Sequence, residues 1–413
     1  MKRTYLKGVL LLLVFSAIAC GPKEKKDKKE KKKEAATQIV PSGLKWSERM
    51  ALSEMERFPD AWQLDFHTKP KWSYTQGLVL RGFEKLYEET GKEKYYDYIQ
   101  AFADTMINAD GEILTYDMEK YNIDMINSGK VLLYLYDKTK KENYLKAIKT
   151  LRKQLDGHPR TSDGGFWHKK RYPWQMWLDG LYMGQPFYAE YAKTFEDEQT
   201  AAKSFDDIAL QFRLIQKHSR DPETGLLYHG WDESREQKWA DKETGTSPHF
   251  WSRALGWYAM ALVDVLDFYP EDRPERKELI GYLNQLAEAL SNFQDKDSGL
   301  WYQVVDMGDR EGNYLEASGS SMFVYSMAKG VRKGYLPESY LEVARKGYQG
   351  VLDNLIEVED NGVVNITQVC AVAGLGGNPY RDGSYEYYIN EKIRANDPKA
   401  TGPFILASLE LDR

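Results

Sequence analysis

Five stretches of the chain repeat one design, a polar turn with a glycine followed by a short apolar or aromatic run. They are DGEILTYD from residue 110, DGGFWHK from 163, TGLLYHGWD from 224, SGLWYQVVD from 298 and NGVVNIT from 361. Successive copies begin 53, 61, 74 and 63 residues apart. Those spacings are too long for the common short helical repeats and suit one helix pair plus its loops. The intervening segments carry the matching signal. TQGLVLRGFEKLYEETGKEKYYDYIQAFADTMI holds two amphipathic runs broken at Thr90-Gly91, where glycine takes a left-handed cap. INSGKVLLYLYDKTKKENYLKAIKTLRKQL repeats the design with a break around Lys138 to Lys141, and further pairs are expected over 178–218, 252–292 and 318–357.

Five repeats and a split sixth predict an all-α fold, a closed (α/α)6 barrel of six helical hairpins, with the apolar segment 402–411 closing the ring against its beginning. An open solenoid is the competing arrangement. It needs polar-faced end caps, whereas both ends of this region are apolar enough to pack together. ASGSSMFVYSMAKGVRKGY is rich in small residues that permit close helix approach. Alternating strands are almost confined to the glycine-led runs, which excludes a doubly wound sheet and its phosphate-binding glycine loop.

The 413 residues carry 63 acidic against 57 basic side chains, a net charge of -6, so no extended basic field offers a nucleic-acid surface. At the amino end Lys2 and Arg3 precede the apolar run LLLVFSAIA and Cys20, the pattern of a secretory signal peptide. Ala17-Ile-Ala-Cys20 resembles a bacterial lipobox, which makes Cys20 the expected lipid-attachment site. Residues 1–20 are then a lipoprotein signal, 21–42 a charged tether containing PKEKKDKKEKKKEAA, and 43–413 a single catalytic domain. This places the protein in the bacterial cell envelope, facing the periplasm and touching the membrane only through its anchor. Cys370, the one other cysteine, is expected to be a buried thiol outside any disulfide.

In such a barrel the loops leading into alternate helices gather at one mouth. Asp124, in YNIDMINSGK, and Asp179, in GGFWHKKRYPWQMWLDGLYMG, stand at equivalent helix starts and are expected to share it. Each is alternatively a helix cap. Trp174, Trp177 and Tyr182 would dehydrate Asp179 and raise its pKa toward that of a proton donor, a shift that His168, Lys169 or Arg171 would oppose. Two more clusters carry rings with polar groups: YHGWDESREQKW, with His229, Trp231 and Asp232, and SPHFWSRALGWYAM, with His249, Trp251, Arg253 and Trp257. Arg253 is placed to fork onto a carboxylate, and the tryptophans offer apolar platforms. The scattered histidines give no metal motif, so neither metal nor cofactor is expected. There is no Gly-x-Ser-x-Gly elbow of a serine esterase.

Taken together, NIDMINSGK, GGFWHKKRYPWQMWLDGLYMG, LLYHGWD, SPHFWSRALGWYAM and NDPKATGPFILAS closely resemble the unsaturated rhamnogalacturonyl hydrolases of glycoside hydrolase family 105, relatives of the family 88 unsaturated glucuronyl hydrolases. The resemblance runs in order from about residue 45 to the end. It implies the (α/α)6 barrel and the removal of a terminal 4,5-unsaturated uronic acid from lyase-generated oligosaccharides, typically unsaturated galacturonyl-rhamnose. The implied chemistry is hydration of a vinyl ether, with proton addition at C4 and water addition at C5. By the same resemblance Asp179 is the proton donor and Asp124 its supporting acid. His168, Lys169, Trp177, His229, Trp251, Arg253 and Trp257 line the sugar pocket. The alternatives are another (α/α)6 exo-glycosidase, a sugar epimerase with several central histidines, or a nonenzymatic glycan-binding lipoprotein with an open aromatic platform.

Overall fold

The structure, a computed structural model, describes residues 40–412. The expected signal peptide, Cys20 and residues 21–39 of the tether lie outside the described residues. Val40 is already packed: its side chain is buried, and its N–H donates to the Asn361 carbonyl at 3.1 Å. Val40, within the segment read as tether, therefore packs on the folded chain, while Pro41 and Ser42 are exposed.

Thirteen α-helices are described: α1 (Trp46–Arg57), α2 (Tyr74–Thr90), α3 (Glu93–Met106), α4 (Gly129–Thr139), α5 (Glu142–Asp156), α6 (Leu178–Phe195), α7 (Glu198–Ser219), α8 (Ser252–Val265), α9 (Pro274–Asn292), α10 (Ala317–Arg332), α11 (Ser339–Asn354), the short α12 (Tyr385–Asn390) and α13 (Pro398–Leu411). Helices α2, α4, α6, α8, α10 and α13 form the inner ring, each packed on the next, and α13 closes onto α2. Helices α3, α5, α7, α9 and α11 each lie outside the inner helix that precedes them. The sixth hairpin is split as expected, with α1 packed on α13. The fold is an (α/α)6 barrel.

Sequence patterning explains the two layers. In α5 the buried residues Tyr144, Ala147, Ile148, Leu151 and Leu155 make one stripe, the mark of an outer wall. In α8 every residue is buried, which suits a helix walled in on all sides. Each large aliphatic side chain removed from water there contributes about 1.5–3 kcal/mol. Small residues set the inner spacing: a Cβ on Gly319 of α10 would stand 2.7 Å from the Ser252 Cβ of α8, so the two helices meet only where a side chain is missing.

The repeated turns fix the polarity of the ring. Gly111, Gly164, Gly225, Gly299 and Gly362 all take positive φ, from 73° to 101°, which ordinary side chains resist. Each turn carries the chain from the end of an outer helix toward the start of an inner one, so all five gather at one mouth. Two short antiparallel pairs decorate the loops. β1 (Gln175–Trp177) pairs with β2 (Gly230–Asp232), and β3 (Ile356–Val358) pairs with β4 (Val364–Ile366) around Gly362.

Candidate active site

Asp124 sits in a 3-10 turn over Ile123–Ile126, just ahead of α4 rather than within it. It does not cap α4. Ser128 and Asn127 are spent on α2 and its approach, the first donating to the Ser73 carbonyl at 2.5 Å and the second to the Tyr74 carbonyl at 2.8 Å. The Asp124 carboxylate instead meets two cation-capable groups from the next loop, Lys169 Nζ at 2.5 Å and His168 Nε2 at 3.3 Å. An antiparallel bridge between Asn122 and Lys169 and the Ile123 N–H to His168 carbonyl bond hold the two loops in register. Burial drives the His168 ring down to about 4, even though Asp124 pulls the other way. The ring is therefore neutral at pH 7. It lies flat on Trp177, with centroids 4.3 Å apart and planes 13° from parallel.

Asp179 stands in the first turn of α6, where the helix N-terminus favours negative charge. β1 delivers it there: the β1–β2 pairing continues through the Leu178 N–H to His229 carbonyl bond, which brings His229 beside the helix start. Asp179 Oδ2 and His229 Nε2 face each other at 3.3 Å. Of the two opposed effects expected on the Asp179 pKa, the lowering one prevails. Burial does push the carboxyl up, but the His229 ring, with His168 behind it, outweighs burial and holds it below the ordinary carboxylate value. Of the three named rings Trp177 stays beside the acids, against His168 and His229, and the other two are occupied elsewhere. Tyr182 stacks on Trp257 inside the barrel, and Trp174, exposed and at φ 67°, pairs with Trp167.

Both acids keep side-chain surface, 10% for Asp124 and 13% for Asp179, whereas His168 and His229 retain 3% and none. The carboxylates are thus the accessible ends of two acid–histidine pairs at one mouth. Trp177 also meets Tyr172 and the edge of His229. Trp251, the residue before α8, tilts over His229 at 4.8 Å and donates its indole N–H to Gln303 Oε1 at 3.0 Å. Arg253 does not fork onto a carboxylate. It donates to the Cys370 carbonyl at 2.5 Å and to Ser318 Oγ at 3.2 Å. Burial works against its charge, and Cys370, Glu316 and Asp397 more than offset that. Trp257 lies one turn deeper on α8, buried against Tyr182 and the edge of Tyr74.

The clusters divided. From YHGWDESREQKW only His229 joins the acids; Trp231 stacks on His218 at 3.7 Å, and Asp232 accepts the N–H groups of Ser234 and Gln237 in its own turn. His249 faces Tyr385. Cys370 is a free buried thiol pushed up to about 11 by burial. Sequence reasoning missed Tyr388, whose hydroxyl meets His229 Nδ1 at 2.8 Å, and Glu316, whose buried carboxylate accepts from Gly319, Ser318 and the Cys370 N–H. No local pattern marks Tyr388, which stands among other tyrosines 159 residues from its partner. Glu316 carries a signal: it accepts the Gly319 N–H as the cap of α10. Among the described residues no group of three or more His, Cys, Asp and Glu side chains is placed to hold a metal ion.

Residues 46–413 match the model of Glycosyl Hydrolase Family 88. A solved family 105 glycoside hydrolase from C. acetobutylicum ATCC 824 is 50% identical, with a TM-score of 0.85 over 89% of this chain and 99% of that one. The unsaturated rhamnogalacturonyl hydrolase YesR of Bacillus subtilis is 27% identical over 309 residues, 73% of this chain and 80% of its own. The unsaturated glucuronyl hydrolase of Bacillus sp. GL1 is 14% identical, with a TM-score of 0.62 over 88% of this chain and 94% of that one, a likeness of fold alone.

Proposed function

The chain belongs to glycoside hydrolase family 105, within the family 88 model, and we propose that it releases the terminal 4,5-unsaturated uronic acid of lyase-generated oligosaccharides, with unsaturated galacturonyl-rhamnose as its substrate. Membership makes it a hydrolase of unsaturated uronyl glycosides. The rhamnose-linked substrate is supported by the likeness to YesR.

The observation that carries the reading is the pair of acids at one mouth, each partly accessible and each faced by a buried histidine. In the free site Asp179 is ionised. An arriving uronate brings a second negative charge and displaces water, and both changes raise the carboxyl's proton affinity. Asp179 then takes up a proton and delivers it to C4, which leaves oxocarbenium character at C5 beside a carboxylate that stabilises it. The same carboxylate accepts a proton from the water that bonds to C5. Opening of the resulting hemiketal turns C1 into a hemiacetal, which expels the neighbouring sugar. Asp124, held by Lys169 and His168, orients water and sugar. The Lys169 ammonium and the buried charge of Arg253 favour the substrate carboxylate, while Trp177, Trp251 and Trp257 shape the pocket for a flat ring.

Purified protein incubated with unsaturated disaccharides tests this by loss of the alkene's ultraviolet absorbance. An ordinary exo-glycosidase would free the sugar with the alkene intact, and a binding protein would leave both unchanged. A panel varying the sugar next to the uronate tests the rhamnose preference.

The amino-terminal pattern supports a further proposal, lipid attachment at Cys20 and an envelope location. No described helix is long and apolar enough to cross a membrane. Radiolabelled palmitate should enter the full-length protein in cells and be absent from Cys20→Ala; label in that variant, or none in the native chain, removes the anchor.

A further inference from the structure

His229 is sealed from solvent, and its two ring nitrogens face different groups. Nε2 stands 3.3 Å from Asp179 Oδ2, and Nδ1 stands 2.8 Å from the Tyr388 hydroxyl. Tyr388 is itself fully buried, and burial holds its phenol well above the ordinary value. It is therefore a neutral hydroxyl that carries its proton throughout the working range.

That proton can be placed in two ways for a neutral ring. If the phenol donates to Nδ1, the imidazole carries its hydrogen on Nε2, pointed at the carboxylate. If the ring donates from Nδ1, the phenolic hydrogen is left without a described acceptor, and the Nε2 lone pair faces the Asp179 anion. The first arrangement gives the phenolic hydrogen an acceptor and turns the ring N–H toward the carboxylate 3.3 Å away, where neither His229 Nε2 nor Asp179 Oδ2 has another hydrogen-bond partner. The second strands a buried donor and sets two electron-rich atoms against each other.

We propose that Tyr388 is a positioning residue for the reaction, its hydroxyl fixing His229 as the Nε2–H tautomer so that a ring N–H holds the Asp179 carboxylate in its working orientation. This rests on Asp179 being the proton-transferring group. Tyr388 acts through His229, and the surroundings keep its ring in place without the hydroxyl. Gln303 Nε2 donates to the Tyr388 carbonyl at 3.0 Å while Gln303 Oε1 takes the Trp251 indole N–H, and the Trp251 ring lies nearly parallel to that of Tyr388, 6.0 Å away. One tyrosine from α12 thereby sets the hydrogen position at the start of α6, which neither segment specifies alone.

The test is a ¹⁵N spectrum of the histidine-labelled full protein above pH 7.5, with His229 assigned by its loss in His229→Gln. The native ring is expected to show a protonated Nε2 and an acceptor Nδ1. In Tyr388→Phe the tautomers should mix, kcat should fall about tenfold, the loss of one oriented hydrogen bond, and KM should stay within about twofold. A native Nδ1–H tautomer overturns the proposal, as does a Tyr388→Phe enzyme with undiminished kcat. The native spectrum decides even if the variant does not fold. Should Asp179→Asn keep full turnover while His229 is Nε2–H, the assignment of Asp179 falls and the tautomer control stands.

Discussion

Asp179 presents its carboxylate to a histidine from which solvent is wholly excluded, His229, at 3.3 Å. Acid and partner come from different hairpins of the ring, joined by one short strand pair. Replacing Asp179 by asparagine keeps the shape and removes the transferable proton. Turnover of an unsaturated disaccharide should fall roughly a thousandfold, with KM changing far less. Near-native kcat in that variant would move the proton donor to another residue.

The low proton affinity of free Asp179 has a kinetic signature. kcat/KM reports ionisations of the free enzyme and kcat those of the complex. Because the free carboxyl lies below its ordinary value, kcat/KM should drop about tenfold per pH unit across the range where the enzyme is studied. The bound uronate raises the carboxyl, so kcat should hold its plateau to higher pH before it bends. Initial rates between pH 5 and 8 (roughly the range over which such groups are read) check this; coincident limbs would show that substrate leaves the acid unchanged.

Burial of histidines predicts acid sensitivity. His158 and His168 are both driven to about 4, below the 6.5 of a free ring. Between those values the unfolded chain binds more protons than the folded one, so stability rises with pH through the window and is lost as pH falls toward 4. Each ring contributes a slope of about 1.4 kcal/mol per pH unit at most. Urea midpoints measured from pH 7 to 4 should decline, and His158→Gln should flatten the decline; an unchanged slope would place the acid sensitivity elsewhere.

Lys130 of α4 is buried, its ammonium 3.9 Å from the centre of the Tyr182 ring with no hydrogen-bond acceptor, and burial lowers it to about 7. Below pH 7 the folded protein must carry that charge. Lys130→Met should stabilise the fold by about 1–3 kcal/mol there, read as a higher melting temperature. The native contribution is present above 10.5 and is lost as pH falls to about 7, so the gain from methionine should shrink across that window as pH rises. A lower melting temperature at pH 6 would mean that Asp264, Glu190 and Glu84 need the cation.

The helix pairs were readable because each is a local pattern. The break at Gly91 becomes the left-handed cap of α2, and segment 402–411 becomes most of α13, closing the ring. His168, Lys169, Trp177 and Asp179 were legible together because a few residues of loop and strand carry them to one place. Arg253 was misread because a guanidinium's partner is set by what arrives opposite it, here a carbonyl 117 residues away. The net proton affinity of Asp179 was left open by the sequence, which set burial among rings against nearby basic groups: the opposing groups proved to be His168 and a ring from a distant segment, His229.

By itself the sequence determined the helices, their pairing, the polarity of the ring and the acids at its mouth. All of these follow from periodicity, from glycines at turns needing positive φ and from motifs of contiguous residues. Only the tertiary structure decided which ring nitrogen faces which acid, that Tyr388 stands behind His229, and that Lys130 is buried without an acceptor. Those relations are set by a few ångströms between segments far apart in the chain, and electrostatic effects in a dry site depend on such distances far more steeply than any local pattern records.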